Sequence, residues 1–259
     1  MDAHNTSFTI QKRDFIAGLE KGLAVIEAFD QPQSRLSMTE VATRTGLTRA
    51  AARRYLLTLT QLGYVSYDGR MFSLAPKVLR LGQSYMHSAR LPRIVHPQLH
   101  KLAQTLQEAS AAGVLDANDV ICVAATTAGR LVSTHLAPGT RVPAYCTANG
   151  RVLLAALPPE RVDAWLEHQT LHPLTSHTVT SKERLRVEIA RARALGYATV
   201  DQELEPGLRT LSVPLKNLRG DTVAAINVSV HAARMSVTEL QERCLPALLQ
   251  AQAQIRNLL

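Results

Sequence analysis

The stretch SMTEVATRTGLTRAAARRYLLTLTQLGYVSYDGRMFSL, residues 37–74, carries its own punctuation. Ser37 followed by Glu40 is a capping box, in which each side chain satisfies a backbone donor at a helix start, and Gly46 offers a left-handed stop after Thr45. A helix is therefore expected over Met38–Thr45. Thr48 can cap another, with an inward stripe of Ala52, Leu56 and Leu59, an end at Gly63, and Arg49, Ala50 and Arg53 pointing outward. Tyr64–Tyr67 and Met71–Leu74 then flank Asp68–Gly69, the pair that best supports a two-residue hairpin, with Arg70 at its tip. Upstream, Ile16, Leu19, Leu23, Ile26 and Phe29 recur at helical spacing until Asp30, Gln31 and Pro32 stop the run. Three short helices and a hairpin describe a winged helix-turn-helix.

Charge says what such a head is for. Between Glu40 and Asp68 stand Arg44, Arg49, Arg53 and Arg54 and not one acid, the pattern of a surface built against phosphate. Ala50 and Ala51 would let the helix backbone approach bases closely, while arginine can take guanine bidentately. The expected DNA contacts are Arg44, Thr48, Arg49, Ala50, Ala51, Arg53, Arg54 and Arg70. The plainer alternative is a three-helix interaction module with a solvated arginine face. Net charge is +8, and residues 1–90 hold 12 Lys and Arg against 7 acids while the rest hold 17 against 14. A basic chain can also meet anionic membranes, but that needs an exposed apolar helix face, and here those faces look needed for a core.

At 259 residues the chain has room for this head and a larger domain, given roughly 100–200 residues per domain. Apolar content of 46% with 19% charge suits a soluble globular protein, and no apolar run approaches the ~20 residues of a membrane span. The N-terminus lacks a secretory pattern, which leads us to expect a cytoplasmic protein. Cys122, Cys146 and Cys244 are too few and too irregularly spaced for a disulfide framework or a zinc site.

The larger domain reads as an α+β sensor. Pro76 opens a connecting helix over Lys77–Arg90, with Val78, Leu81 and Tyr85 on one stripe and Leu91–Pro92 closing it. That stripe packs either against a partner chain or within its own. The expected division is a head over 1–75, a linker over 76–91 and a sensor over 92–259. Within the sensor we expect a helix near Ile94–Glu108, a strand pair over 113–129, strands near Val120–Ala125 and Leu131–Leu136, and helices capped by Thr180 with Glu183 and by Ser236 with Glu239. On the strand Val223–Val230, Asn227 and Ser229 share a face opposite Ile226 and Val228, and meet either solvent or a cavity. Thr147 can cap a helix running to Leu157, so the amides of Ala148, Asn149 and Gly150 would make a seat for a carboxylate, with Arg141 upstream to supply charge.

The runs GLEKGLAVIEAF (18–29), MTEVATRTGLTRAAARRYLLTLTQLGYV (38–65), RVPAYCTANGRVLLAALP (141–158) and GYATVDQELEPGLRTLSVPL (196–215) resemble the IclR family of bacterial transcription regulators. RDFIAGLEKGLAVIEAF (13–29) and LTRAAARRYLLTL (47–59) resemble more narrowly its β-ketoadipate pathway regulators, of the PcaR, PcaU and PobR type. The resemblance implies a winged-helix head, a linker helix and a GAF-like effector domain, assembled as dimers or tetramers on a palindromic operator. It implies an effector pocket drawing on the loop and helix start from Arg141 through Thr147, Ala148, Asn149 and Gly150, on Thr210, and on Asn227 and Ser229. It favours the cavity for the last pair. The partners implied are double-stranded operator DNA, a small carboxylate such as protocatechuate or 4-hydroxybenzoate, a second copy of the chain as dimer or dimer of dimers, and RNA polymerase as a candidate. Val200 stands where some relatives have an acid.

Enzymatic readings are weaker. Cys146 as nucleophile with His135 as base lacks any context that activates the thiol. His96 and His100 sit at i and i+4 without a metalloprotease glutamate, and His168, His172 and His177 are loosely spaced, so neither a cofactor nor a metal is expected. Glu203, Glu205 and Arg209 around Pro206–Gly207 read as a turn with mutually satisfying charges. The alternative to a regulator is a ligand-binding module or enzyme with a protein-facing head.

Overall fold

A computed structural model describes residues 11–29, 33–127 and 137–259. The Asp30–Pro32 stop, the strand expected at Leu131–Leu136 and His135 lie outside the described residues, as does the segment before Gln11. The chain divides into two compact units, one up to Tyr85 and one from Met86 onward.

In the first unit, α1 (Ala17–Glu27), α2 (Met38–Thr45) and α3 (Arg49–Gln61) surround a small core of Val25, Leu36, Val41, Leu56 and Phe72. The capping box at Ser37 and Glu40 is complete, and Gly46 closes α2 with φ 64°. The stripe on α3 buries Ala52, Leu56 and Leu59. On α1 the expectation is corrected: Ile16, Leu19 and Leu23 are exposed and Val25 is the fully buried residue, because α2 and α3 cover only the α1 face that carries Val25 and part of Ile26. Three antiparallel strands form the wing, in the order β1 (Arg35–Leu36), β3 (Phe72–Leu74), β2 (Val65–Tyr67). Its turn is displaced by one residue from the expected position. Asp68 N–H donates to the Met71 carbonyl at 3.2 Å, and the Asp68 carboxylate accepts from the amides of Arg70 at 2.9 Å and Met71 at 2.7 Å. Gly69 and Arg70 are thus the central pair, with Gly69 supplying φ 98°.

The connecting segment starts with a short 3₁₀ turn at Pro76–Val78 and runs into α4 (Leu79–Ser88). Leu91 and Pro92 do not close it. The break falls at Ala89, and α5 (Arg90–Leu106) begins next, because proline in a first turn has no intrahelical N–H to lose. The helix expected near Ile94–Glu108 therefore starts four residues earlier and ends short of Glu108.

The second unit is built on a six-stranded antiparallel sheet, ordered β6 (Arg141–Pro143), β5 (Asp119–Thr126), β4 (Ala109–Asp116), β9 (Thr222–His231), β8 (Leu208–Lys216), β7 (Ala198–Asp201). One face packs on α5 and α9 (Val237–Arg256), burying Leu99, Ile226, Val228, Leu240 and Leu248. The other meets α6 (Ala148–Ala155), α7 (Pro159–Glu167) and α8 (Lys182–Leu195), burying Leu154, Leu166, Leu185, Ile189 and Ala225. The alternation of β9 expected from sequence is observed, with Ile226 and Val228 toward the first layer and Ala225 toward the second. Two termini shift. Ser181, not Thr180, caps α8 by accepting from Arg184 N–H, and α6 ends at Ala155. The β4–β5 turn is clamped by α7: Trp165 Nε1 donates to the Ala117 carbonyl at 3.2 Å, and Gln169 Nε2 to Asn118 Oδ1 at 2.7 Å. Among the described residues no helix is long and apolar enough to cross a membrane.

Candidate functional site

In the head, Thr48 fixes where α3 begins, its hydroxyl oxygen accepting from Ala51 N–H at 3.2 Å. Arg49, Ala50, Arg53 and Arg54 are exposed and Ala51 is half-buried. Helical spacing puts Ala50, Arg53, Arg54 and Leu57 on the side away from the Ala52–Leu56–Leu59 stripe. Arg70 is exposed at the wing turn. That turn is stiffened by an Arg35–Asp68 ion pair, by Tyr67 hydroxyl donating to the Gly69 carbonyl at 2.6 Å, and by Tyr67 and Phe72 stacked at 4.3 Å. Arg44 behaves differently from its neighbours. Its Nη1 donates to the Ala28 carbonyl and its Nη2 to Gln33 Oε1, both at 2.7 Å, so the guanidinium ties α2 to the end of α1.

The second unit encloses a cavity of about 60 Å³ between α6 and the sheet face opposite α5 and α9. A single water needs roughly 10–15 Å³ by such a measure, so there is room for a small molecule. Ala111, Val120, Val142, Val200, Leu204 and Leu208 supply apolar walls, and Thr147, Asn149, Thr210, Asn227 and Ser229 supply a polar end. Among the described residues no charged side chain lines it. Two cysteines also line it, and burial pushes both thiols up, Cys122 to about 11 and Cys146 to about 12, the latter helped by the nearby charge of Glu203. They are protonated at neutral pH and contribute neutral, soft surface rather than nucleophiles.

Most of the polar side chains are held in place by a neighbour. Asn227 Oδ1 accepts from Ala111 N–H at 3.1 Å, and its Nδ2 donates to Ser229 Oγ at 3.2 Å. Ser212, behind the cavity, donates to Asn149 Oδ1 at 2.6 Å. Asn149 can approach the sheet because Gly113 lies opposite, where an added Cβ would meet Asn149 Nδ2 at 3.2 Å and Val120 Cγ1 at 2.5 Å. The Ser229 proton and the Thr210 hydroxyl have no partner among the described residues.

Six of the eight effector residues expected from sequence therefore meet at one cavity, and two do not. Gly150 N–H is spent on Thr147 Oγ1 at 3.1 Å. Its lack of a side chain is required instead by close packing, since a Cβ there would fall 2.0 Å from the Ala144 carbonyl oxygen. Arg141 is exposed on β6 and bonded to Asp116 at 2.6 Å and Asp119 at 3.2 Å, both of which hold its charge in place. The turn expected to satisfy itself around Pro206 is corrected too. Arg209 pairs with Asp201, and Glu203 with Arg151 of α6 at 2.7 Å, deep in the unit. Leu204 and Ser212 carry no sequence signal of a site role beyond their neighbours, while Cys146 and Val200, noted in the sequence as a nucleophile candidate and as a position where some relatives have an acid, line the cavity as neutral wall.

A winged helix-turn-helix head followed by an α+β sensor with its own cavity is the plan of a ligand-responsive transcription regulator. Residues 18–69 match the IclR helix-turn-helix domain and residues 83–257 the bacterial transcriptional regulator IclR C-terminal domain. The chain belongs to the IclR family, and is a DNA-binding transcription regulator rather than an enzyme. It is 43% identical over 239 residues to the Pca regulon regulatory protein of Pseudomonas putida, spanning 92% of this chain and 82% of that protein. It is 37% identical over 259 residues to the p-hydroxybenzoate hydroxylase transcriptional activator of Acinetobacter baylyi, covering 98% and 96%. A solved Acinetobacter structure, the inducer-binding domain of a PobR double mutant in complex with 3-hydroxybenzoic acid, superposes with a TM-score of 0.62 at 29% identity, covering 65% of this chain and 98% of that one. Within the family the chain groups with the pca and p-hydroxybenzoate regulators.

Proposed function

We propose that this regulator takes a small aromatic hydroxy acid, of the 4-hydroxybenzoate or protocatechuate kind, into the cavity beside α6. Two unspent hydroxyls at the polar end of an otherwise apolar, uncharged cavity carry the reading. A ring fits the walls of Val120, Val142, Leu204 and Leu208. Thr210, Ser229 and Asn149, with the first amides of α6 at Ala148 and Asn149 after Thr147, offer neutral donors to a carboxylate and a ring hydroxyl. Asn227 serves by fixing Ser229. The names of the two curated relatives and the ligand of the PobR domain support the same class. A flexible dianion such as β-ketoadipate suits the cavity less, because a second carboxylate would be desolvated with no cation to meet it.

Arg49, Arg53, Arg54 and Arg70, with Thr48, Ala50 and Ala51, are the residues we assign to operator contact. The exposed apolar residues Ile16, Leu19 and Leu23 of α1 and Leu79, Leu81 and Tyr85 of α4 support self-association as a dimer or dimer of dimers, which suits a palindromic operator. Such a regulator acts in the cytoplasm, with RNA polymerase a partner where it activates. We assign a head over 1–75, a connecting segment over 76–89 and a sensor from Arg90 onward, because the helical break falls at Ala89. The effector acts by binding one arrangement of the heads better than another, since equal affinity would shift nothing. Calorimetry of the full chain with 4-hydroxybenzoate, protocatechuate and β-ketoadipate tests this: at least one aromatic acid should bind, and more tightly than β-ketoadipate. Silence from all three rejects the reading.

A further inference from the structure

We propose a second small-molecule site in the sensor, on the far side of the wall that α6 and β7 form, taking a small carboxylic acid in which an ammonium or hydroxyl donor stands beside the carboxylate. Strand β7 borders two cavities. Val200 lines the one described above, whereas Ala198, Thr199 and Asp201 line another, of about 150 Å³, shared with α6, α8 and the start of α9. It is the roomier of the two. Its polar groups are poorly spent. Arg151 is only 3% exposed, yet of its guanidinium donors Nη2 reaches Glu203 at 2.7 Å while Nε is buried with no partner. A guanidinium carries five N–H donors, and leaving them unmet at depth is costly.

Around Arg151 the remaining charges sort themselves. Both oxygens of Asp201 are taken by Arg209, at 2.8 and 2.9 Å, and Gln241 is engaged with Thr199 at 3.3 Å. That leaves Arg191 and Glu188, three residues apart on α8, whose side chains have no partner among the described residues. One cation with spare donors from Arg151, and one carboxylate beside it, match a ligand carboxylate next to a donor group. A simple anion would be repelled by Glu188 and a simple cation by the arginines. The two cavities also share structure: Asn149 and Arg151 sit on one helix, and Glu203, the partner of Arg151, precedes Leu204 of the first cavity. Occupancy of either is therefore expected to alter affinity at the other, by the same factor in both directions.

The test is calorimetry of the full-length protein with a panel of neutral amino acids and the matching 2-hydroxy acids. We expect a member of one arm to bind, and which arm binds identifies the donor group. Arg191→Gln, at an exposed position that threatens no core, should weaken that binding about tenfold or more, and Glu188→Gln should weaken it as well. Thr210→Val, in the first cavity, should leave it unchanged while weakening hydroxybenzoate, so the two sites fail independently. No binding by wild type at about 10 mM, equal affinity in Arg191→Gln or Glu188→Gln, or loss in Thr210→Val instead would each overturn the proposal.

Discussion

The two units solve recognition with opposite physics. In the head the residues we assign to operator contact are exposed and mostly cationic, grouped on α3 and the wing turn, while those we assign to the effector in the sensor are buried and neutral, most of them pinned by a neighbour. A charged surface works at a distance, through released counterions, and tolerates imprecise placement. A neutral pocket works only in contact, and every donor must point correctly.

Salt should separate the two most widely. Raising ionic strength from about 50 to about 200 mM is expected to weaken operator binding by roughly a thousandfold or more if six or more phosphates are contacted. Hydroxybenzoate binding over the same range should change by less than about twofold, since among the described residues no charged side chain lines its cavity. Parallel losses in filter-binding and calorimetric titrations would erase the contrast. Next in size is Gly150→Ala, whose Cβ meets backbone that cannot turn aside. Urea denaturation should show the sensor destabilised by about 3 kcal/mol, and an unchanged midpoint would mean that α6 is less tightly seated on Ala144 than the contact implies.

Within the head, Arg53 and Arg44 sharpen the comparison. Arg53→Ala should lower operator affinity by about 1–3 kcal/mol and leave thermal stability alone. Arg44→Ala should do the reverse, costing roughly 1–2 kcal/mol of head stability because the Ala28 carbonyl and Gln33 lose a charged donor, with the salt slope of DNA binding unaltered. The smallest effect is expected of Thr210→Val. One lost hydroxyl should weaken the aromatic acid by about 1 kcal/mol, read as a roughly fivefold rise in Kd with stability intact.

The same division explains what could be read in advance. Signals that act over three or four residues were legible: the Ser37–Glu40 box, the Gly46 stop, the buried stripe of α3, and the Ser236–Glu239 box that opens α9. So was the alternation on β9, because period two is fixed by the backbone. What depended on distant pairing was not. The bond from Arg44 to the Ala28 carbonyl, sixteen residues away, has no signature in the local sequence, and β1 is too short to announce itself without β3. The hairpin turn moved by one residue because the Asp68 side chain prefers to accept two amides rather than occupy the turn's centre. Arg141 reads as a charge for the pocket only while Asp116 and Asp119 are out of view across the sheet.

Trp165 is the chain's single tryptophan, and its N–H is fastened to the loop that joins the two strands carrying Ala111, Val120 and Cys122. Any guest that spreads or tightens those strands must tug on the one indole the molecule owns. The sensor thus comes with an optical gauge already fitted, and its emission can be followed without attaching a dye.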